Sequence, residues 1–265
     1  MARSALLNVM VNAAMKAGRQ LSRDFGEVQN LQVSVKGPGD FVTSADKAAE
    51  KIIFEELKLA RPDFGFLLEE GGVVKGRDLQ NRWIVDPLDG TTNFMHGIPL
   101  FGISIALERE GQIVAGVIYN PAMDELFTAE RGSGAFFNDR RMRVSARRDF
   151  IDSVFVTGIP HLGRAEPQRF LKQLSHMMNS SAGIRRSGSV AIDLAWLAAG
   201  RYDGLWEMGL QPWDVAAGIL MVREAGGYVS DFDNRRKIFE TQNIVAGNEI
   251  IHRKLISTLK EIDQK

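Results

Sequence analysis

Two aspartates three positions apart are the first residues of the chain whose types and spacing indicate chemistry. Asp86 and Asp89 stand in the segment DPLDGTTN, which begins at Asp86. The two side chains converge if the backbone turns between them, because Pro87 disfavours the α conformation at Asp86 and Gly90 permits unusual dihedral angles. The same turn leaves the Leu88 carbonyl available as a ligand. Magnesium prefers such oxygen ligands and completes its shell with water and phosphate oxygens.

The spacing alone is a weak signal, because Asp149 and Asp152 repeat it without similar neighbours. A turn with a helix cap explains most such pairs. The residues that flank the first pair strengthen the signal. The apolar run 83–85 leads into Asp86, and the segment 90–92 can open a helix whose free N–H groups bind anions. Metal ligands beside an anion cradle indicate metal-assisted phosphate chemistry.

One turn cannot hold several metal ions, so other acidic residues are needed. Glu69-Glu70 follows an apolar run, which an exposed strand end would also explain. Asp214 follows Trp213 at the start of an apolar helix, and Asp40 and Asp46 surround the start of another. Helix capping is the ordinary explanation for each of these three aspartates.

The composition excludes several other chemistries. The 265 residues include no cysteine and only four histidines, so disulfides, thiolate metal sites and cysteine nucleophiles are ruled out. Basic and acidic residues number 33 each, and no overall basic excess points to nucleic acid. No apolar run reaches the roughly 18 residues of a membrane-spanning helix. The N-terminal segment places five apolar residues on one helical face, which favours an amphipathic helix over a signal peptide: Leu7, Met10, Val11, Ala14 and Leu21. We expect a cytoplasmic location.

The elements that position these residues fall into two groups. Helices are predicted at residues 4–25, 44–60, 165–179, 189–199, 214–225 and 249–262, with Ser44 capping the second. The apolar positions of that second helix include Ala48, Ile52, Phe54, Leu57 and Leu59. Strands are predicted at residues 101–107, 113–119, 125–129, 154–157, 202–207 and 243–246. Consecutive strands predict an antiparallel sheet in the first half, and alternating strands and helices predict an α/β layer in the second. We expect one subdomain at 1–145 and another at 146–265, joined by an arginine-rich segment that reads as a solvated loop.

Taken together, the four acidic segments resemble the inositol monophosphatase family, within the magnesium-dependent, lithium-sensitive sugar phosphatases. The resemblance spans about residues 36–227 and rests on WIVDPLDGTTNF, from Trp83, and on WDVAAG through EAGG, from Trp213 to Gly227. It implies a five-layer αβαβα sandwich with an antiparallel N-terminal sheet and a mixed C-terminal sheet. It also implies a homodimer, two to three magnesium ions and lithium as an inhibitor.

The resemblance assigns the metal ligands and the groups around the phosphate. By that similarity, a first magnesium would be held by Glu69, Asp86 and the Leu88 carbonyl, and a second by Asp86, Asp89 and Asp214. Gly90 and Thr91 would donate backbone N–H groups to the phosphate. Asp46 would hydrogen-bond Thr91, whose hydroxyl would orient the attacking water together with Glu69. Lys36 matches a basic position near a third, weaker ion at Glu69.

The resemblance also assigns the side of the pocket that binds the alcohol. Glu207, in WEMG, matches a residue that binds inositol hydroxyls, and the remaining substrate-binding residues would be Asp89, Gly188, Ser189, Val190 and Asp214. Val190 and the Gln211-Pro212 pair differ from the animal enzymes, and both lie on this side. Relatives hydrolyse fructose 1,6-bisphosphate, phosphoadenosine phosphate or histidinol phosphate, so these esters stay open as alternatives.

We therefore expect magnesium-dependent hydrolysis of a phosphate monoester, with myo-inositol 1-phosphate as the first candidate. A metal-activated water would attack in line, without a phosphoenzyme, because the chain has no cysteine and no histidine in a nucleophile motif. A different class of function is association with RNA polymerase or nucleic acid in transcription and RNA processing, as in some similar bacterial proteins. Arg185, Arg186 and the arginines between 140 and 148 would form that surface.

Overall fold

A computed structural model describes residues 3–27, 33–37, 40–160 and 166–264, with the side chains of 33–37 and 40–42 left out. The helices are α1 (Ala5–Gly26), α2 (Ser44–Ala60), α3 (Thr91–Met95), α4 (Pro167–Met178), α5 (Val190–Ala198), α6 (Pro212–Glu224), α7 (Ile238–Thr241) and α8 (Glu249–Asp263). The strands are β1 (Val33–Gly37), β2 (Asp40–Thr43), β3 (Phe64–Leu68), β4 (Gly72–Val74), β5 (Asp78–Asp89), β6 (Gly102–Arg109), β7 (Gln112–Asn120), β8 (Glu125–Glu130), β9 (Gly134–Phe137), β10 (Arg140–Arg141), β11 (Val154–Val156), β12 (Gly183–Arg185), β13 (Gly204–Met208), β14 (Tyr228–Ser230) and β15 (Asn243–Gly247).

Two sheets carry most of the strands. The eight-stranded sheet has the order β10-β9-β8-β7-β6-β5-β3-β4, and its neighbours run antiparallel except for the parallel pair β3 and β5. The five-stranded sheet has the order β12-β11-β13-β15-β14. In it β11 runs parallel to both neighbours, and the other pairs are antiparallel. The antiparallel first sheet and mixed second sheet are confirmed, with one parallel pair added to the first.

Five layers follow from the faces that these elements bury. On β5, Trp83 and Val85 pack in one apolar cluster with α1 and α2, whereas Ile84 between them belongs to a second cluster with α5 and α6. The five-stranded sheet is covered in the same way, because Leu205 faces the α5–α6 cluster and Trp206 packs with α4 and α8. Sheets buried on both faces have no polar face, which explains their continuous apolar runs. The αβαβα sandwich is confirmed.

Helix α1 confirms the amphipathic interpretation of the N-terminus. All five residues predicted on its apolar face are buried, and the Ser4 hydroxyl caps the helix by accepting a hydrogen bond from the Leu7 N–H. Among the described residues, no helix is long and apolar enough to cross a membrane.

Helix α2 corrects two details of the prediction. Thr43, not Ser44, is the N-cap, because its hydroxyl accepts from the N–H groups of the first turn. Leu59, predicted on the apolar face, is 83% exposed, whereas Ile53 and Leu57 are buried. The buried face of α2 is therefore rotated by about one residue from the predicted face, and Leu59 lies in solvent near the end of the helix.

The central layer joins the two halves of the chain. Helices α5 and α6 share one apolar cluster with both sheets. The first sheet ends at Arg141 and the second begins at Val154. The subdomain boundary at 145/146 stays a prediction, because the packing of the central layer crosses it.

Gly218 on α6 lies where a Cβ would come within 2.5 Å of Leu194 Cδ1 and 2.6 Å of Leu194 Cβ.

We expect Gly218→Ala to lower the free energy of unfolding by about 1–3 kcal/mol, because overpacking at Leu194 exceeds the gain in helix propensity. Urea unfolding followed by circular dichroism measures the change. Gly26→Ala is the matched control, since a Cβ there meets nothing within 4 Å. A Gly218→Ala protein as stable as the wild type would contradict the close packing of α5 against α6.

Candidate active site

The DPLDGTTN segment folds as a strand, a bulge and a helix start. Between Asp86 and Asp89 the register of β5 against β6 shifts, so three steps on β5 face two on β6. Gly90 follows with φ of 95°, in the left-handed region, and α3 begins at Thr91. A Cβ on Gly90 would lie 3.0 Å from the Leu100 carbonyl oxygen. Conformation and packing both require glycine here, and the predicted turn and helix start are confirmed.

Thr91 connects this turn to helix α2. Its hydroxyl oxygen lies 3.1 Å from Asp46 Oδ1 and 3.2 Å from the Leu88 carbonyl oxygen, so its single proton has two acceptors. Asp46 also forms a capping box, in which Asp46 Oδ2 accepts from the Thr43 N–H at 2.9 Å. The capping and the catalytic interpretation of Asp46 therefore describe the same side chain: one oxygen caps α2 and the other meets Thr91.

One cavity of about 160 Å³ brings together the ends of β3, β5, β13, α3, α5 and α6. The predicted site residues that line it are Glu69, Asp86, Leu88, Asp89, Gly90, Thr91, Gly188, Ser189, Val190, Glu207 and Asp214. Asp46 does not line the cavity and reaches it through Thr91. Lys36 lies in β1, and its side chain is outside the part of the chain whose side chains the structure describes.

Burial and like charge dominate the electrostatics of this cavity. Asp86 is 2% exposed, and burial followed by the charges of Glu69, Asp89 and Asp214 raises its pKa well above the ordinary value. Burial also raises the pKa of Asp89 to about 6. The Ser189 hydroxyl, at 2.6 Å, and the Ala191 N–H, at 2.7 Å, donate to Asp89 Oδ2 and oppose that shift.

The chemistry of the donor set fits a hard divalent cation. Among the residues that the structure describes, no three acidic or histidine side chains already stand in the arrangement of a metal centre. The five candidate ligands on the cavity wall are nevertheless all oxygen donors, namely the carboxylates of Glu69, Asp86, Asp89 and Asp214 and the carbonyl of Leu88. Carboxylates held together against their own repulsion are the ligands that magnesium takes.

The part of the cavity near Glu207 contains groups that sequence reasoning missed. Asp193 lines the cavity as the one acidic residue in α5, and burial raises its pKa to about 8. Burial, followed by the charge of Asp193, raises the pKa of Glu207 well above its ordinary value. A Cβ on Gly158 would overlap the Glu207 carboxyl group. A lone acid in an otherwise apolar helical segment was the available signal for Asp193.

Arg186 has a place in the site that the sequence did not predict. The sequence grouped it with Arg185 as part of an exposed partner-binding surface; it is exposed, and it also lines the acidic cavity. There its positive charge lowers the pKa of Asp89, Asp193 and Glu207, against the stronger effect of burial. The residue escaped sequence reasoning because the loop after β12 brings it to the cavity through tertiary structure.

A five-layer sandwich with a carboxylate-lined cavity is the arrangement that the sequence predicts for a phosphatase. A sequence model of the inositol monophosphatase family matches residues 2–264. The chain belongs to the inositol monophosphatase family.

Relatives and solved structures agree with this assignment. The chain is 65% identical over 261 residues to the inositol-1-monophosphatase of Mesorhizobium japonicum, covering 98% of each chain. It is 42% identical over 256 residues to Nus factor SuhB of Escherichia coli, covering 97% of this chain and 96% of that one. The crystal structure of extragenic suppressor protein SuhB from Bartonella henselae matches with a TM-score of 0.95 at 64% identity, covering 97% of this chain and 99% of that one.

The raised pKa of Asp89 predicts how the stability of the metal-free protein depends on pH. The folded state keeps a proton up to about pH 6 that the unfolded state loses near 3.8. The free energy of unfolding therefore falls as pH rises through this window, by roughly 2–3 kcal/mol from this residue. Asp89→Asn should remove that part of the slope. Urea unfolding in EDTA from pH 4 to pH 8 measures it.

Asp152→Asn serves as the control in this experiment, because Asp152 is exposed and lies outside the cavity. It should keep the wild-type slope. Equal slopes for the wild type and the Asp89→Asn variant would contradict the burial of an acidic Asp89 in the folded protein.

Proposed function

We propose that this phosphatase hydrolyses the phosphate monoester of a polyol, with myo-inositol 1-phosphate as the substrate. One observation carries the proposal: a single cavity holds four carboxylates and the Gly90–Thr91 helix start on one side, and Glu207 on another. The first group suits a metal-bound phosphate, and the second suits hydroxyl groups of the leaving alcohol. The 65% identical relative named inositol-1-monophosphatase supports the same substrate.

Two to three magnesium ions are the proposed cofactors. Glu69, Asp86 and the Leu88 carbonyl would hold the first, and Asp86, Asp89 and Asp214 the second. Lys36 would stand near a third ion at Glu69. Bound magnesium supplies positive charge that offsets the phosphate and lowers the pKa of water. We expect lithium to inhibit.

The phosphate would be held by the backbone of the turn. The N–H groups of Gly90 and Thr91 lie at the start of α3, where no preceding helical carbonyl accepts from them. Gly90 lacks a Cβ, which allows an approach to the backbone in the left-handed conformation. These donors would fix the orientation of the phosphorus relative to the acidic side chains.

The attacking water would be oriented by Thr91 and Glu69. When the Thr91 hydroxyl donates its proton to Asp46 Oδ1, at 3.1 Å, the lone pairs of that oxygen can accept from a water. Glu69 lines the same cavity and can accept the other proton of that water. A water held by two acceptors presents its own lone pair to the phosphorus, which suits in-line attack.

The alcohol would leave toward the wall formed by Gly188, Ser189, Val190 and Glu207, with Asp89 and Asp214 at the boundary with the phosphate. A buried acid at Glu207 binds hydroxyl groups and disfavours a second phosphate. This wall favours a polyol monoester over fructose 1,6-bisphosphate and phosphoadenosine phosphate. Histidinol phosphate bears an ammonium group, so an acidic wall discriminates less against it.

A substrate panel tests the proposal directly. Phosphate release is measured with myo-inositol 1-phosphate, fructose 1,6-bisphosphate, phosphoadenosine phosphate and histidinol phosphate, each with magnesium and with EDTA. We expect the highest kcat/KM for the inositol ester and loss of all turnover in EDTA. Preference for another ester would reject myo-inositol 1-phosphate as the substrate and leave the proposed metal chemistry in place. Turnover that survives EDTA would reject the metal chemistry.

Asp86→Asn should lower kcat by at least about 10³-fold, or about 4 kcal/mol, because it removes a charge proposed to be shared by two ions. Steady-state kinetics at saturating magnesium measures the loss. Asp152→Asn is the matched control, since it stands in the other D-x-x-D pair and is exposed. Near-normal activity of the Asp86→Asn variant would refute the assignment of this residue as a metal ligand.

Binding to the transcription machinery is a second candidate function. It rests on the 42% identical relative named Nus factor SuhB and on exposed arginines at Arg140, Arg141, Arg143 and Arg148. Arg147 contributes less, because its guanidinium lies 3.3 Å from buried Asp203.

RNA polymerase should co-purify with the tagged wild-type chain from extract of its own cells. An Arg143→Ala/Arg148→Ala variant should retain less of it, because the exposed positive charge is reduced. Arg77→Ala is the control, since Arg77 is exposed on the loop before β5. Absence of polymerase with the wild-type chain would remove this candidate.

Assembly and location also stay proposals. We propose a homodimer, as the family resemblance implies, and sedimentation equilibrium of the purified chain measures its mass in solution. The cytoplasmic location is tested by cell fractionation.

A further inference from the structure

Asp193 is a buried acidic residue whose hydrogen bonding is incomplete. It lies in α5 among apolar residues and is 2% exposed. Its Oδ1 atom is buried and has no hydrogen-bond partner among the described residues. Such an atom costs stability, because it has lost water without gaining another donor. A ligand that donates a hydrogen bond to Asp193 Oδ1 would remove this cost.

The position of Asp193 indicates which ligand that is. Asp193 lines the same cavity as Glu207 and Arg186. Its charge is the first, after burial, among the influences that raise the pKa of Glu207. Arg186 lowers the pKa of both acids against the stronger effect of burial. The wall of one cavity therefore includes the carboxyl groups of buried Asp193 and partly exposed Glu207, together with the guanidinium of Arg186.

We propose that Asp193 is a specificity-determining residue that pairs with Glu207 to bind two hydroxyl groups of the leaving polyol. This inference rests on the proposed function, because it concerns the alcohol part of the same substrate. Asp193 Oδ1 accepts a hydrogen bond from one hydroxyl, and the Glu207 carboxyl group accepts from another.

The chemistry of the pair selects for neutral polyols. Two carboxyl groups on the wall of one cavity can each accept from a hydroxyl group of the same alcohol, and an alcohol without further hydroxyls leaves both acids unsatisfied. An ester with a second phosphate would bring its negative charge into a cavity lined by one basic side chain, that of Arg186. Gly158 contributes by leaving room for the Glu207 carboxyl group.

A kinetic comparison of three esters tests Asp193. Myo-inositol 1-phosphate and glycerol 2-phosphate carry additional hydroxyl groups, and phenyl phosphate carries none. For Asp193→Ala we expect KM of the two polyol esters to rise about tenfold, as for one lost hydrogen bond, with kcat nearly unchanged. Values for phenyl phosphate should stay the same. Asp193→Asn, which keeps one acceptor oxygen, should fall between the wild type and the alanine variant.

Asp203→Asn is the matched control, because Asp203 is equally buried but Asp203 Oδ2 accepts from the Val154 N–H at 2.8 Å. It should lower the melting temperature and leave the ratio of polyol ester to phenyl phosphate unchanged. In the Asp193→Ala variant, an equal change for all three esters would show a structural role and overturn the inference. Kinetic values equal to those of the wild type for all three esters would overturn it as well.

The wild-type values separate this inference from the proposed function. A wild type that hydrolyses phenyl phosphate as well as the inositol ester rejects the proposed substrate before any variant is considered. A wild type that prefers polyol esters, with a preference that survives Asp193→Ala, rejects only the role of Asp193.

Discussion

The repulsion between carboxylates that line one small cavity is the constraint on which the rest of the structure depends. Asp86 is 2% exposed and is surrounded by the charges of Glu69, Asp89 and Asp214. Buried like charges are costly unless a cation or strong donors offset them. These side chains come from β3, β5 and the start of α6. Holding them together needs a frame stiffer than one loop, which the two sheets and the packed central helices provide.

The frame holds these acids through its backbone. Asp86 Oδ1 accepts from the Leu88 N–H at 2.9 Å, across the bulge that Pro87 and Gly90 create. Asp214 Oδ2 accepts from the Gln211 N–H at 2.7 Å. In each bond one oxygen of the carboxylate is fixed to the chain. Local backbone geometry therefore fixes one oxygen of each carboxylate.

Local patterns made much of this predictable, and tertiary contacts account for the rest. The turn at Asp86–Thr91 follows from proline and glycine at fixed positions, and the buried face of α1 follows from apolar spacing. Leu59 misled the prediction for α2, because two residues along a helix are about 200° of rotation, so Leu59 lies on nearly the opposite face from buried Leu57. Arg186 reaches the cavity on the loop between β12 and α5, and Asp193 reaches it from the first turn of α5. No local spacing encodes that approach, although the lone acid in an apolar helix was visible.

Helix N-termini relieve part of the repulsion and connect folding to the chemistry. Asp46 and Asp214 each occupy the third position of a helix in a capping box, and Asp89 accepts from the Ala191 N–H in the first turn of α5. A carboxylate at such a position gains about 0.3–1 kcal/mol from the helix dipole, and up to about 2 kcal/mol when partly buried. The hydrogen bonds that begin α6 thus orient Asp214 at the cavity, and those that begin α2 orient Asp46 toward Thr91. Because α5 and α6 also form the central layer, any shift in their packing against the sheets moves Asp89 and Asp214 relative to each other. The packing of the core therefore determines the geometry of the site.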